Sequence, residues 1–148
     1  MLYDALEEPD GATTADLLDA YAAELAAALA EFDADTAAVA AEIGVDEAVV
    51  DAMAAGDAEA VVDVRLADAA AALESAAGVP AHDIDHEVRD HLMMGMVTAI
   101  LDVDTIAAEI YADLTGQEVQ QALEGRTRLT LGELAEIQAL VIERTPDR

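Results

Sequence analysis

The chain has 148 residues, of which 33 are Asp or Glu and only six are Arg, with no Lys, so its formal net charge is -27. Hydrophobic residues make up 55%, too many for an acidic disordered chain, and the absence of cysteine excludes disulfides, thiolate zinc sites and cysteine nucleophiles. The length allows one domain, or two small ones, with a sizeable core.

The composition favours an all-α fold. Ala occupies 36 positions, and Ala and Leu are the strongest helix formers. The N-terminus, MLYDALEEPDG, lacks the basic region and apolar run of a signal peptide, and no apolar run approaches the roughly 18 residues of a membrane span. We therefore expect a soluble cytoplasmic protein built of helices.

In the first half of the chain, capping residues and glycines mark the helix ends. They predict a helix from Thr13 to about Glu31, a second from Asp35 to Gly44, a third from Asp46 to Gly56, an irregular segment over 57–65, and a helix over 66–77 closed by Gly78 and Pro80.

In the second half, a long helix is predicted to begin at Asp83 or Asp85 and to run to about Leu101. Three shorter helices follow, over 104–113, 116–124 and 131–144, and the last two start with the capping boxes T-G-Q-E and T-L-G-E. We expect about seven helices in two units, 1–79 and 80–148, that could also pack as one domain.

Residues 36–78 resemble the phage-repressor (Cro/cI-like) helix-turn-helix family. The resemblance lies in the turn Ile43-Gly44-Val45 and in the apolar positions Val50 and Met53 of the helix that follows. It implies a small bundle of short helices whose second helix enters the DNA major groove. Residues 107–125, AAEIYADLTGQEVQQALEG, echo residues 40–56, AAEIGVDEAVVDAMAAG, so the sequence also suggests a second, related unit.

The two units differ in charge. The first presents Asp46, Glu47 and Asp51 where a DNA reader needs cations, and residues 1–64 hold 17 acids and no Arg, so this unit is expected to be a packing scaffold. Residues 115–148 hold six acids and four Arg. The candidate DNA-binding residues of the second unit are Gln117, Gln120, Gln121, Arg126 and Arg128. Gln can pair with adenine and Arg with phosphate; alternatively, the two Arg complement a helix C-terminus.

The whole chain also resembles an uncharacterised family of small acidic haloarchaeal proteins. The resemblance rests on the opening MLYDA, the central GMVTAILDVD and the closing EGRTRLTLGELAEI. It implies a cytoplasm with molar salt, where most of the charge repulsion is screened, and it brings no known activity.

A methionine cluster lies in the most apolar run, MMGMVTAIL. Met suits both irregular cores and adaptable binding surfaces, so core packing and a partner surface are both open. The candidate partner-binding residues are Met93, Met96, Ile100 and Leu101. The leading hypothesis is a non-catalytic regulatory or interaction protein that self-associates through this helix; the alternative is a DNA-binding transcription regulator.

Nothing in the sequence predicts catalysis. His82, His86 and Asp90 recur every four residues and would share a helical face, where two imidazoles and a carboxylate could bind Zn²⁺ or another divalent ion. An acidic helix N-terminus exposed to solvent explains these residues as well. No phosphate-binding glycine loop or nucleophile motif is present in the sequence. We therefore expect no cofactor, no metal site and no small-molecule substrate.

Overall fold

The computed structural model describes residues 1–6 and 9–146, and over these residues the fold is all-α, with nine helices and no strand. The helices are α1 Thr14–Glu31, α2 Thr36–Ile43, α3 Glu47–Ala55, α4 Ala58–Val61, α5 Leu66–Ala77, α6 Ala81–Ala99, α7 Val103–Glu109, α8 Gly116–Leu123 and α9 Leu131–Arg144. The all-α prediction is confirmed, although the expected number of about seven helices was slightly low.

Local capping chemistry places most helix ends where the sequence predicts them. The side chain of Asp35 accepts the backbone N–H of Ala37 at the start of α2. Both predicted capping boxes form, between Thr115 and Glu118 and between Thr130 and Glu133. Asp46 occupies the N-cap position of α3, but its side chain makes no capping hydrogen bond, so that detail of the prediction was wrong.

Two helix boundaries involve a carboxylate from another helix. The long helix α6 starts at Ala81, earlier than predicted, because Glu74 of α5 accepts the Ala81 N–H at 2.5 Å. Helix α7 ends at Glu109 rather than near 113, because the N–H groups of Tyr111 and Ala112 donate to the carboxylate of Glu136 on α9.

Segment 57–65 is more ordered than the sequence predicted. It contains the short helix α4 and ends in an isolated antiparallel bridge between Arg65 and Thr130. The Leu66 N–H donates to the carbonyl of Leu129 at 2.7 Å, and the Leu131 N–H donates to that of Val64 at 2.8 Å. This bridge joins the start of α5 to the start of α9.

A single hydrophobic core extends through both halves of the chain. Helix α1 packs against α3, α5 and α9, while α6 packs against α5 and α9. Inside the core, the Tyr21 hydroxyl donates to the side-chain carbonyl of Gln138, whose amide donates to the carbonyl of Tyr3 at 3.2 Å. Burial raises the pKa of the Tyr21 hydroxyl, which keeps it a hydrogen-bond donor.

Candidate functional site

The C-terminal half of α6 carries an exposed apolar strip. Met93, Met94, Val97 and Ile100 are 40%, 64%, 79% and 89% exposed. Their spacing places them on one side of the helix, while Ile84, Val88 and Leu92 on the other side are buried. We call these four exposed residues the α6 apolar surface.

The predicted partner-binding residues divide between this surface and the core. Met93 and Ile100 belong to the α6 apolar surface, whereas Met96 and Leu101 are half-buried and pack against the core. Met94 and Val97 are exposed but were not assigned by the sequence. The signal for them was the i, i+3, i+4, i+7 repeat, which is hard to read in a run where nearly every residue is apolar.

Gly95 lies where α6 packs against α9. A Cβ atom at this position would lie 2.7 Å from Cγ1 of Val141, so the glycine lets the two helices approach closely. With this side of α6 packed inside the chain, the methionine side is exposed.

The α6 apolar surface coincides with a gap in the acidic charge. Residues 91–101 contain no Asp or Glu, and the flanking carboxylates are Asp90 and Asp102, both exposed. The backbone N–H of Thr105 lowers the pKa of Asp102 below its ordinary value of 3.8, which keeps this border of the surface charged. The surface therefore lies in a stretch of sequence without carboxylates, in a chain whose formal net charge is -27.

Ile100 combines exposure with an unfavourable backbone conformation. It lies in the left-handed region, at φ 56° and ψ 50°, as the residue that ends α6. A β-branched residue is rare there. The Leu101 N–H completes the cap by donating to the Met96 carbonyl at 2.9 Å. Strained, exposed residues of this kind concentrate at functional sites.

The candidate DNA-binding residues lie on α8 and the loop that follows it. Gln117 and Gln120 are exposed, Gln121 is half-exposed, and Arg126 and Arg128 are exposed. The opposite side of α8 is buried through Val119, Ala122 and Leu123. The structure thus places the three amides on the outer side of one helix, directly before the two arginines.

The two echoed segments both form consecutive helices, α2–α3 and α7–α8, but their turns differ. The first turn spans 44–46 and contains Gly44 in the left-handed conformation, whereas the second spans 110–115 and starts with extended Ile110. In α3 the outward residues Glu47 and Asp51 are exposed. A short turn with a left-handed glycine is therefore present only in the acidic first copy.

The three histidines do not form a metal site in the described part of the chain. The rings of His82 and His86 are stacked with centroids 6.2 Å apart. No group of three or more His, Cys, Asp or Glu residues within 1–6 and 9–146 has an arrangement that could hold a metal ion.

Over the same residues, no single helix is long and apolar enough to cross a membrane. Helices α6 and α7 reach the required length and apolar composition only together, and the angle between them is 94°.

The fold and the surface together define a small all-helical protein whose most distinctive exposed feature is an apolar patch on its central helix. Residues 17–144 match the model of DUF5791, described as a family of unknown function. Since the match covers most of the chain, the protein belongs to this family. No curated protein and no solved structure matches the chain.

Proposed function

We propose that this protein is a non-catalytic interaction protein that associates with a second copy of itself through the α6 apolar surface. The observation that supports this most directly is the exposure of Met94, Val97 and Ile100 in a stretch without carboxylates. Large apolar side chains grouped on the outside of a folded chain typify association surfaces.

Charge favours a second copy as the partner. Two copies that each carry -27 repel each other over most of their surfaces. A symmetric contact places the same patch of both copies face to face, so it is most favourable where that patch is uncharged and apolar. Residues 91–101, which include this surface, are the longest stretch of the sequence without a carboxylate.

Salt should govern this association. The Debye length falls to about 3 Å at 1 M salt, so repulsion between the two acidic copies weakens as KCl rises. Burial of apolar surface does not weaken in the same way. We propose that the protein acts in a salt-rich cytoplasm, which suits its acidic composition. Its proposed role there is regulatory, and the proposed scaffold is a helix-turn-helix unit.

The test is the molar mass in solution, measured by sedimentation velocity across about 0.5 to 3 M KCl. We expect a dimer that tightens as KCl increases. Val97→Asp should raise the dimer dissociation constant by about 100-fold, because a symmetric contact would bring the two new carboxylates together. Ala54→Asp, an exposed position on α3, adds the same charge elsewhere and should leave the dimer intact.

Two results would refute the proposal. One is a monomer at all KCl concentrations and at high micromolar protein. The other is equal weakening of the dimer by Val97→Asp and Ala54→Asp, which would show that net charge alone matters. Far-UV circular dichroism confirms that each variant is folded before its mass is interpreted.

A further inference from the structure

Four of the six arginines of the chain converge on the loop between α8 and α9, residues 124–130. Arg126 and Arg128 are part of the loop. Arg65 is brought to it by the bridge to Thr130, which lies two residues from Arg128. The bridge therefore places Arg65 at the end of the loop that holds Arg128, although the two arginines are far apart in sequence.

The fourth arginine supports the loop from below. Arg89 is buried and is held by an ion pair with Asp85. A Cβ atom at Gly125 would lie 3.7 Å from its Nε atom, so the guanidinium lies directly beneath the turn at the end of α8. Its Nη1 atom has no hydrogen-bond partner among the described residues, but its charge is paired with Asp85, so Arg89 supports the turn without adding a free positive charge.

The carboxylates of this region leave two of the three exposed arginines unpaired. Among the described residues, Arg65 and Arg128 form no ion pair, while Arg126 is paired with exposed Glu124 at 3.7 Å. Glu118 and Glu133 are the acids of the two capping boxes and accept backbone N–H groups instead. In a chain with 33 acids, Arg65 and Arg128 are thus left available, and Arg126 is held only by a long, solvent-exposed ion pair.

We propose that Arg65, Arg126 and Arg128 bind the phosphate backbone of double-stranded DNA. Gln117, Gln120 and Gln121 project from the outer side of the adjoining helix, and Gln side chains pair with adenine edges in the major groove. Phosphate contacts set the position and amide contacts read the sequence. This combination favours duplex DNA over an acidic polypeptide, which would need the arginines alone. The surface is separate from the α6 apolar surface, so this inference does not rest on self-association.

The experiment is fluorescence anisotropy with a labelled mixed-sequence duplex between about 0.5 and 2 M KCl. Three phosphate contacts predict a slope of about -2.7 for the logarithm of affinity against that of salt, so affinity should fall about 40-fold over this fourfold range. The variant R65A/R126A/R128A should lose this binding. The matched control is Arg144→Ala, an exposed arginine on α9 paired with Glu109, which should bind within about twofold of the wild type.

A separate variant tests sequence reading. Gln120→Ala should keep the salt slope but reduce the preference between duplexes of different sequence. The proposal fails if the wild type does not bind duplex DNA, or if the triple variant and Arg144→Ala bind alike. It also fails if polyglutamate of equal charge displaces the duplex as well as unlabelled DNA does, because the surface would then serve acidic polypeptides.

Discussion

Replacement of Ile100 by glycine should stabilise the protein. A non-glycine residue in the left-handed conformation costs roughly 1–2 kcal/mol, and a β-branched residue lies at the upper end. Ile100 adopts this conformation at φ 56° and is 89% exposed, so little packing is lost when its side chain is removed. Glycine lowers this gain by up to about 1 kcal/mol, because it gives the unfolded chain more conformational freedom to lose on folding. The net gain is about 1 kcal/mol.

The assay is thermal unfolding followed by far-UV circular dichroism, in constant KCl at a protein concentration where the chain is monomeric. A gain of about 1 kcal/mol corresponds to a rise in Tm of about 3 °C for a chain of this size. Ile100→Val is the matched control, because it keeps the β-branch and therefore the strain, and it should bring no gain. The same Ile100→Gly variant should weaken self-association, because it removes an apolar side chain from the α6 apolar surface. A loss of stability in Ile100→Gly would refute the reasoning, since it would show that the side chain contributes contacts worth more than the strain.

Two further predictions concern α6 packing and a half-buried acid. Gly95→Ala should lower the free energy of unfolding by about 1 kcal/mol, because overpacking against Val141 costs roughly 1–3 kcal/mol while the better helix propensity of Ala offsets about 1 kcal/mol. Val141→Ala removes a buried side chain and should be destabilising by itself, but it should cost less in the Gly95→Ala chain than in the wild type, because it removes the atom that the new methyl group meets. Simple additivity of the two changes would contradict the close contact. Burial raises the pKa of Glu24 above its ordinary value of 4.5, while the Leu2 N–H that it accepts at 2.9 Å opposes the rise. A raised carboxyl pKa means that the folded chain holds the proton more tightly, so stability falls as pH rises through the folded pKa. Glu24→Gln should therefore be more stable than the wild type near pH 7 and lose that advantage below pH 4.5, as measured by denaturant unfolding. The control is Glu31→Gln, at an exposed position. An equal, pH-independent gain in this control would attribute the effect to net charge instead.

Most helix ends were predictable because they are local. A capping box involves residues three positions apart, as with Thr115 and Glu118, and a left-handed C-cap requires only a glycine such as Gly44. These signals can be read without knowledge of the rest of the fold. The helices that they delimit are accordingly close to those predicted, including α5 at Leu66–Ala77 and α9 at Leu131–Arg144.

The boundaries that failed depend on contacts between helices. Glu74 starts α6 early, and Glu136 ends α7 early, each through a carboxylate from another helix. In a chain with 33 acids, the sequence gives no way to tell which carboxylate will meet which backbone amide.

The sequence by itself determined the all-α class, the acidic exterior and the apolar character of the central helix, because composition and short-range capping suffice for these properties. Only the tertiary structure decided which side of α6 is outside, because a run in which nearly every residue is apolar has no broad polar face to mark it, and the close packing of Gly95 against Val141 lies on the inner side. It alone also brought Arg65 to the loop that holds Arg128, because the bridge between Arg65 and Thr130 pairs segments far apart in the chain. Both candidate surfaces therefore consist of residue types visible in the sequence, in arrangements that only long-range packing fixes.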